Sequence, residues 1–139
     1  MIRVILDTNL WISYLISKRL SKIDELFEKG DLVLLFSEES LEEFIEVAGR
    51  PRFRTYFQNT QIEELLSLFD AFGEIVDVTA EVELCLDPKD NFLLALARDG
   101  EADFLVTGDA DLLVIKKFEK TTILTYSEFE NYIDSGRSS

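Results

Sequence analysis

The sequence predicts an α/β fold, a three-layer α/β/α sandwich around a central, mostly parallel sheet, and three observations carry that expectation. Short runs that are apolar almost throughout, rather than alternating, suit central strands covered on both faces. Segments with apolar residues at helical spacing fill the gaps, so strands and helices alternate along the chain. No Pro/Gly-rich linker, internal repeat or low-complexity tract interrupts the 139 residues, which read as one domain over 1–135 with a frayed tail at 136–139.

The first strand is "RVIL" (Arg3 to Leu6), and the apolar "LWISYLI" that follows predicts a helix over Leu10 to Ile16. A second helix, Ser21 to Glu28, has Ser21 as N-cap and Gly30 just beyond its end. "LVLLF" (Leu32 to Phe36) is the next strand. It leads into a helix over Glu38 to Ala48, where Leu41, Phe44, Ile45 and Ala48 form the apolar stripe and Ser40 with Glu43 makes a capping box. "RPRFRTYFQN" (Arg50 to Asn59) reads as a loop. Gln61 to Phe72 is a well-signalled helix, with Ile62, Leu65, Leu66, Phe69 and Phe72 on one face and a Thr60–Glu63 capping box before it. "EIVDV" (Glu74 to Val78) is a weaker strand. A helix from Asn91 to Asp99, stopped by Gly100, precedes strands at Asp103 to Thr107 and Thr121 to Leu124. Ser127 and Glu130 box the closing helix, Glu128 to Ile133.

Composition narrows the chemistry. The 28 acidic and 14 basic residues give a formal charge of −14, which repels polyanions unless cations intervene. With no histidine, imidazole acid–base chemistry and His metal ligands are excluded, and the single Cys85 excludes a disulfide framework and a Cys-rich zinc site. One cysteine fits a reducing cytoplasm. The N-terminus lacks a basic, cleavable leader, and no apolar stretch reaches the ~18 residues that span a bilayer, so no membrane association is expected.

Ligands of open α/β sheets bind beyond the carboxyl ends of the strands, and the residues there are mostly acids. Asp7 follows the first strand; Ser37 and then Glu38, Glu39, Glu42 and Glu43 follow the second; "TGDADLL" places Thr107, Asp109 and Asp111 after a third. Asp87 and Asp90 precede the apolar "NFLLALA" helix. Each acid has a plainer role. Asp90 can cap its helix, the glutamates can form a solvated face, and Asp109 and Asp111 can be turn formers. Asp7 can cap the helix that follows, yet it lies between an apolar strand and an apolar helix, where an unpaired carboxylate is costly. Acids converging on one rim repel each other, and a divalent cation relieves that repulsion; oxygen-only ligands favour Mg²⁺ or Mn²⁺ over zinc.

These residues resemble the PIN-domain family, metal-dependent nucleases that include the toxin components of toxin–antitoxin pairs. The resemblance rests on "ILDTN", on the Ser37-to-Phe44 spacing that ends in Glu-Phe, on "DPKDNFLLALA" and on "ADFLVTGDADLL", in that order, with "ILTYSEFENYI" similar to the family's last strand and helix. It implies that Asp7, Glu43, Asp90 and Asp109 form the acidic metal-binding and catalytic quartet, with Asp111 as an additional ligand and Asn9, Ser37 and Thr107 as polar supports. Glu43 rather than Glu42 or Glu39, and Asp90 rather than Asp87, occupy the family's positions. The implied activity is that of a ribonuclease using one or two Mg²⁺ or Mn²⁺ ions and leaving a 5′-phosphate and a 3′-hydroxyl. Implied partners are an RNA substrate, an antitoxin covering the acidic site, and a second copy of the chain, for which the Gln61 to Phe72 helix is a candidate contact. Lys18, Arg50, Arg52 and Arg54 are candidate RNA-binding residues, the last three interleaved with Phe53 and Tyr56.

Two alternatives fit the same residues. A haloacid-dehalogenase-type phosphatase would use Asp7 as nucleophile, although its motif wants a second Asp where this chain has Asn9. A non-catalytic module would use the acidic rim or the Arg50 region only to dock a partner. A phosphorelay receiver domain ranks behind both, since the first strand ends in one acid and no lysine follows "TTIL".

Overall fold

A computed structural model describes residues 2–10, 29, 31–51 and 73–137. The expected helices at Leu10 to Ile16, Ser21 to Glu28 and Gln61 to Phe72 lie outside the described residues, apart from Leu10. So do Lys18, Arg52, Arg54 and the rest of the loop from residue 52 to Asn59. Ten elements are described: β1 (Ile2–Leu6), β2 (Leu32–Phe36), α1 (Glu38–Ala48), β3 (Gly73–Ile75), α2 (Pro88–Asp99), β4 (Phe104–Val106), α3 (Ala110–Leu113), β5 (Lys117–Phe118), β6 (Thr121–Leu124) and α4 (Tyr126–Arg137).

The strands form one six-stranded sheet in the order β3-β2-β1-β4-β6-β5, parallel except for β5 against β6. Its register explains the continuous apolar runs. Ile5 pairs with Leu105, Leu105 with Ile123, and Leu35 follows one step on from the Val4–Leu34 pair, so a row of four branched side chains crosses the sheet. This row packs with Leu94, Leu96, Ala97 and Leu112 of α2 and α3. The alternate row, through Val4 and Phe104, faces the other way. There Phe104 meets Phe129 and Tyr132 of α4 edge-on, with ring centroids 5.5 and 4.8 Å apart. Helices therefore cover both faces, as three layers require.

Several helix starts differ from expectation because a different side chain wins the cap. α1 begins after Ser37, whose Oγ accepts from the Ser40 amide at 3.0 Å while Ser40 Oγ accepts from the Ser37 amide at 2.8 Å. The box is thus Ser37–Ser40, not Ser40–Glu43, and Glu43 is released from capping. α2 begins three residues early, at Pro88, since proline is pre-set for the first helical position and Asp87 Oδ1 accepts from the Lys89 amide at 2.9 Å. α4 begins at Tyr126, where Thr125 and Glu128 exchange the reciprocal bonds expected of Ser127 and Glu130, and it runs on to Arg137. β5 is a two-residue strand without apolar periodicity, turned back onto β6 through Glu119 at φ 53°.

The segment from Val76 to Asp87 has no regular structure and is tied to α2 by two side chains two turns apart on that helix. Asn91 Oδ1 accepts from the Leu84 and Cys85 amides at 2.9 and 2.7 Å, and its Nδ2 donates to the Cys85 carbonyl. Asp99 Oδ2 accepts from the Thr79 and Ala80 amides at 2.6 and 2.8 Å, and these bonds hold its carboxyl below its ordinary value of 3.8. Its contribution to stability is therefore present above that value and lost as pH falls through the lowered one. Replacing Asp99 by Ala should speed hydrogen exchange at Thr79 and Ala80 by about tenfold while leaving β1 and β4 amides protected. Unchanged exchange at those two amides would show that the carboxylate does not hold the segment.

Candidate metal centre

The connection out of β1 leads to β2 on one side, and β4 lies on the other, so the β1–β4 boundary is the switch point of the sheet. Asp7 and Thr107 are the first residues past these two strands. The Asp7 amide donates to the Val106 carbonyl at 3.0 Å, which carries the β1–β4 pairing one residue beyond the sheet. Residues 8–10 then turn helical, with the Leu10 amide on the Asp7 carbonyl at 2.9 Å. This turn is where a carboxylate next to an apolar strand finds its partners. Asp7 Oδ2 accepts from the Thr107 hydroxyl at 2.8 Å, and Oδ1 from the Asn9 amide at 3.3 Å.

Thr107 is fully buried, and its hydroxyl works in both directions. It donates to Asp7 and accepts from the Asp109 amide at 3.0 Å, so one oxygen locks the ends of β1 and β4 together. Asp109 in turn caps α3, its Oδ1 accepting from the Asp111 amide at 2.8 Å. The turn-forming role and the site position coincide in this residue.

Asp90 is different. Because Asp87 caps α2, Asp90 has no capping duty; it is 5% exposed and its Oδ2 has no hydrogen-bond partner. Burial pushes its carboxyl up to about 6, helped by the charge of Asp109 and a hydrogen bond with it, and further by Asp87 and Asp7. One carboxylate oxygen from each of Asp90, Asp109 and Asp111 lies within 4.8 Å of the other two. A buried carboxyl with an orphaned oxygen, grouped with two more carboxylates, suits a hard divalent cation, which would take up the lone pairs that no protein donor reaches.

Asp90 and Asp109 open into a cavity of about 400 Å³, lined also by Asp7, Asn9, Glu43 and Lys89. Glu43 therefore shares the cavity with Asp7, Asp90 and Asp109 but lies outside the close trio, and its Oε1 pairs with Lys89 Nζ at 3.4 Å. Asp111 belongs to the trio without lining the cavity. Ser37 is fully buried beneath the start of α1, where its structural work is the cap. Arg50 reaches the cavity wall with its guanidinium on Glu46 at 3.2 Å. Sequence reasoning missed Asn91, which anchors the segment carrying Cys85, and the Lys89–Glu43 pair. The Asn91 amide chemistry was visible in "DPKDN", but its target lies in an irregular segment with no periodic signal.

A comparison with known protein families matches residues 3–111 to the one described as "PIN domain". No curated protein and no solved structure matches the chain. The family match contains every acid of the site and ends at Asp111; β5, β6 and α4 follow it.

Two outcomes follow from this geometry. Asp90 binds its proton more tightly folded than unfolded, so the stability it lends is present below pH 3.8 and lost as pH rises through about 6. In EDTA, Asp90→Asn should melt higher than the wild type at pH 7.5, by up to about 3 kcal/mol, and the gap should close towards pH 4. Mg²⁺ or Mn²⁺ should raise the wild-type melting temperature and not the variant's. A gap equal at both pH values would refute the assignment of strain to Asp90. Thr107→Val, nearly the same shape, should cost about 1–3 kcal/mol in denaturant unfolding and weaken that metal response, while Thr107→Ser retains both; equal behaviour of Val and Ser would show the hydroxyl to be idle.

Proposed function

Because the chain belongs to the PIN-domain family, whose members are in general metal-dependent nucleases, we propose that it is an Mg²⁺- or Mn²⁺-dependent endoribonuclease and the toxin component of a toxin–antitoxin pair. The observation that supports this reading most is Asp90, buried and unpartnered at Oδ2, with one carboxylate oxygen within 4.8 Å of one from each of Asp109 and Asp111. Asp90, Asp109 and Asp111 would hold a first ion, and Asp7 and Glu43, from the same cavity, complete a set able to take one or two. When bound, such an ion supplies positive charge to the phosphate and acidifies water for in-line displacement.

The protein's own residues do the positioning. Thr107 orients Asp7 and Asp109 through one hydroxyl, Asn9 steadies the second Asp7 oxygen through its amide, and Asp87 takes over the capping that would otherwise divert Asp90. Hydrolysis breaks the bond between phosphorus and the 3′-oxygen, leaving a 5′-phosphate and a 3′-hydroxyl. The reaction needs no imidazole, in keeping with a chain that has no histidine. The family match displaces the phosphatase and receiver readings. An antitoxin covering the acidic cavity and a homodimer complete the proposal, with the cytoplasm as the site of action. Among the described residues no helix is long and apolar enough to cross a membrane.

Purified protein incubated with cellular RNA should generate discrete new 5′ ends with Mg²⁺ or Mn²⁺ and none with EDTA, and Asp7→Asn should abolish them without lowering the melting temperature in EDTA. Cleavage by Asp7→Asn at the wild-type rate would sink the proposed role. Absence of metal-dependent ends under either ion would favour the non-catalytic binding module.

A further inference from the structure

Six carboxylates line the cavity, yet its proposed substrate is a polyanion. Among the described residues two cationic side chains line it, Lys89 and Arg50. They are not equally available. The Arg50 guanidinium, just past the end of α1, meets both oxygens of Glu46 in the last turn of that helix, at 3.2 to 3.3 Å through two nitrogens. Lys89 reaches from α2 towards Glu43 on α1 through a single contact of 3.4 Å, and its side chain is 65% exposed. A pair this exposed is worth about 0–1 kcal/mol, so exchanging it for another anion costs little.

Lys89 also breaks a local rule. It is the second residue of α2, in the first turn, where the positive end of the helix dipole favours acids and disfavours a cation. A charge placed against its local preference, one residue from the buried Asp90 and inside the cavity, has its use in the site rather than in the helix. We propose that Lys89 holds a phosphate of the RNA strand, exchanging Glu43 Oε1 for a phosphate oxygen and leaving Glu43 to the cation. This inference rests on the reading of the cavity as an RNA site, and it makes Lys89 a substrate-binding residue. Nζ offers three donors, so a single phosphate oxygen is accepted without a fixed bidentate geometry.

The test separates binding from turnover by working in the Asp7→Asn background, with a dye-labelled single-stranded RNA, constant Mg²⁺ and a series of KCl concentrations followed by anisotropy. Adding Lys89→Gln is expected to weaken binding about tenfold at low salt and to reduce the slope of log Kd against log salt by about 0.7, the signature of one lost contact to a single strand. Lys89→Arg should restore both. Meanwhile Lys89→Gln alone should keep at least the wild-type rise in melting temperature with Mg²⁺, since it also frees Glu43 Oε1. Unchanged affinity and slope in the Gln variant, or no RNA binding by the Asp7→Asn protein, would overturn the proposal. So would a diminished Mg²⁺ response, which would assign Lys89 to positioning Glu43 instead. If the wild type cleaves no RNA while this binding pattern holds, the nuclease reading falls and the role of Lys89 stands.

Discussion

The geometry of the site depends on one buried hydroxyl. Thr107 Oγ1 spends its proton on Asp7 and a lone pair on the Asp109 amide, and so converts the sheet's switch point into a fixed frame for two carboxylates. Because Thr107 is fully buried, its hydroxyl has no solvent substitute for either bond, and leaving it unmet would cost about 1–3 kcal/mol. The β1–β4 register brings Thr107 to Asp7 in the first place, since Leu6 pairs with Val106 and the next residues on both strands are these two. Strand packing thus sets the distance between acids that stand 102 positions apart in the chain, 109 against 7.

Gathering carboxylates in this way works against folding. Burial first, and then repulsion from Asp109, hold the Asp90 carboxyl at about 6; two unit charges 4.8 Å apart repel by roughly 3 kcal/mol at an effective dielectric near 20. The apolar row from Leu35 to Ile123 and the helices packed on it tolerate that penalty, because the acids sit at the sheet's rim and not within its layers. A divalent cation turns the same repulsion into affinity. The chain's charge of −14 bears on a polyanionic substrate less than its sum implies, since exposed charges more than about 8–10 Å away are screened at physiological salt. Charges at the cavity itself count for more, which gives Lys89 and Arg50 weight out of proportion to their number.

Much of this was legible along the chain. Strands at Leu32 to Phe36 and Thr121 to Leu124 and the helix over Glu38 to Ala48 stand where the sequence pattern put them; for "LVLLF" this is the continuous apolar run of a strand covered on both faces. The helix starts were harder to read. In "DPKDN", Asp87 and Asp90 are chemically identical candidates, and only the backbone path into Pro88 decides which one caps. "FSEESLEEF" poses the same choice between Ser37 and Ser40 as the N-cap; the structure uses both hydroxyls in one reciprocal box and leaves Glu43 to the cavity. β5 carried no signal, because two residues cannot show a period, and its turn uses Glu119 at positive φ in place of the glycine that would have marked it.

By itself the sequence determined the alternation of strands and helices, the absence of imidazole and of a cysteine cage, and therefore an oxygen-ligand chemistry at the strand ends. These depend on composition and on local periodicity, which any window of the chain displays. Only the tertiary structure decided that Asp90, Asp109 and Asp111 form the close group while Asp7 and Glu43 line the cavity beside it, that Thr107 joins two strand ends, and that Lys89 faces Glu43 across the opening. Those facts turn on distances between residues far apart in the chain. Strand register and helix packing set such distances, and neither is a property of any one segment.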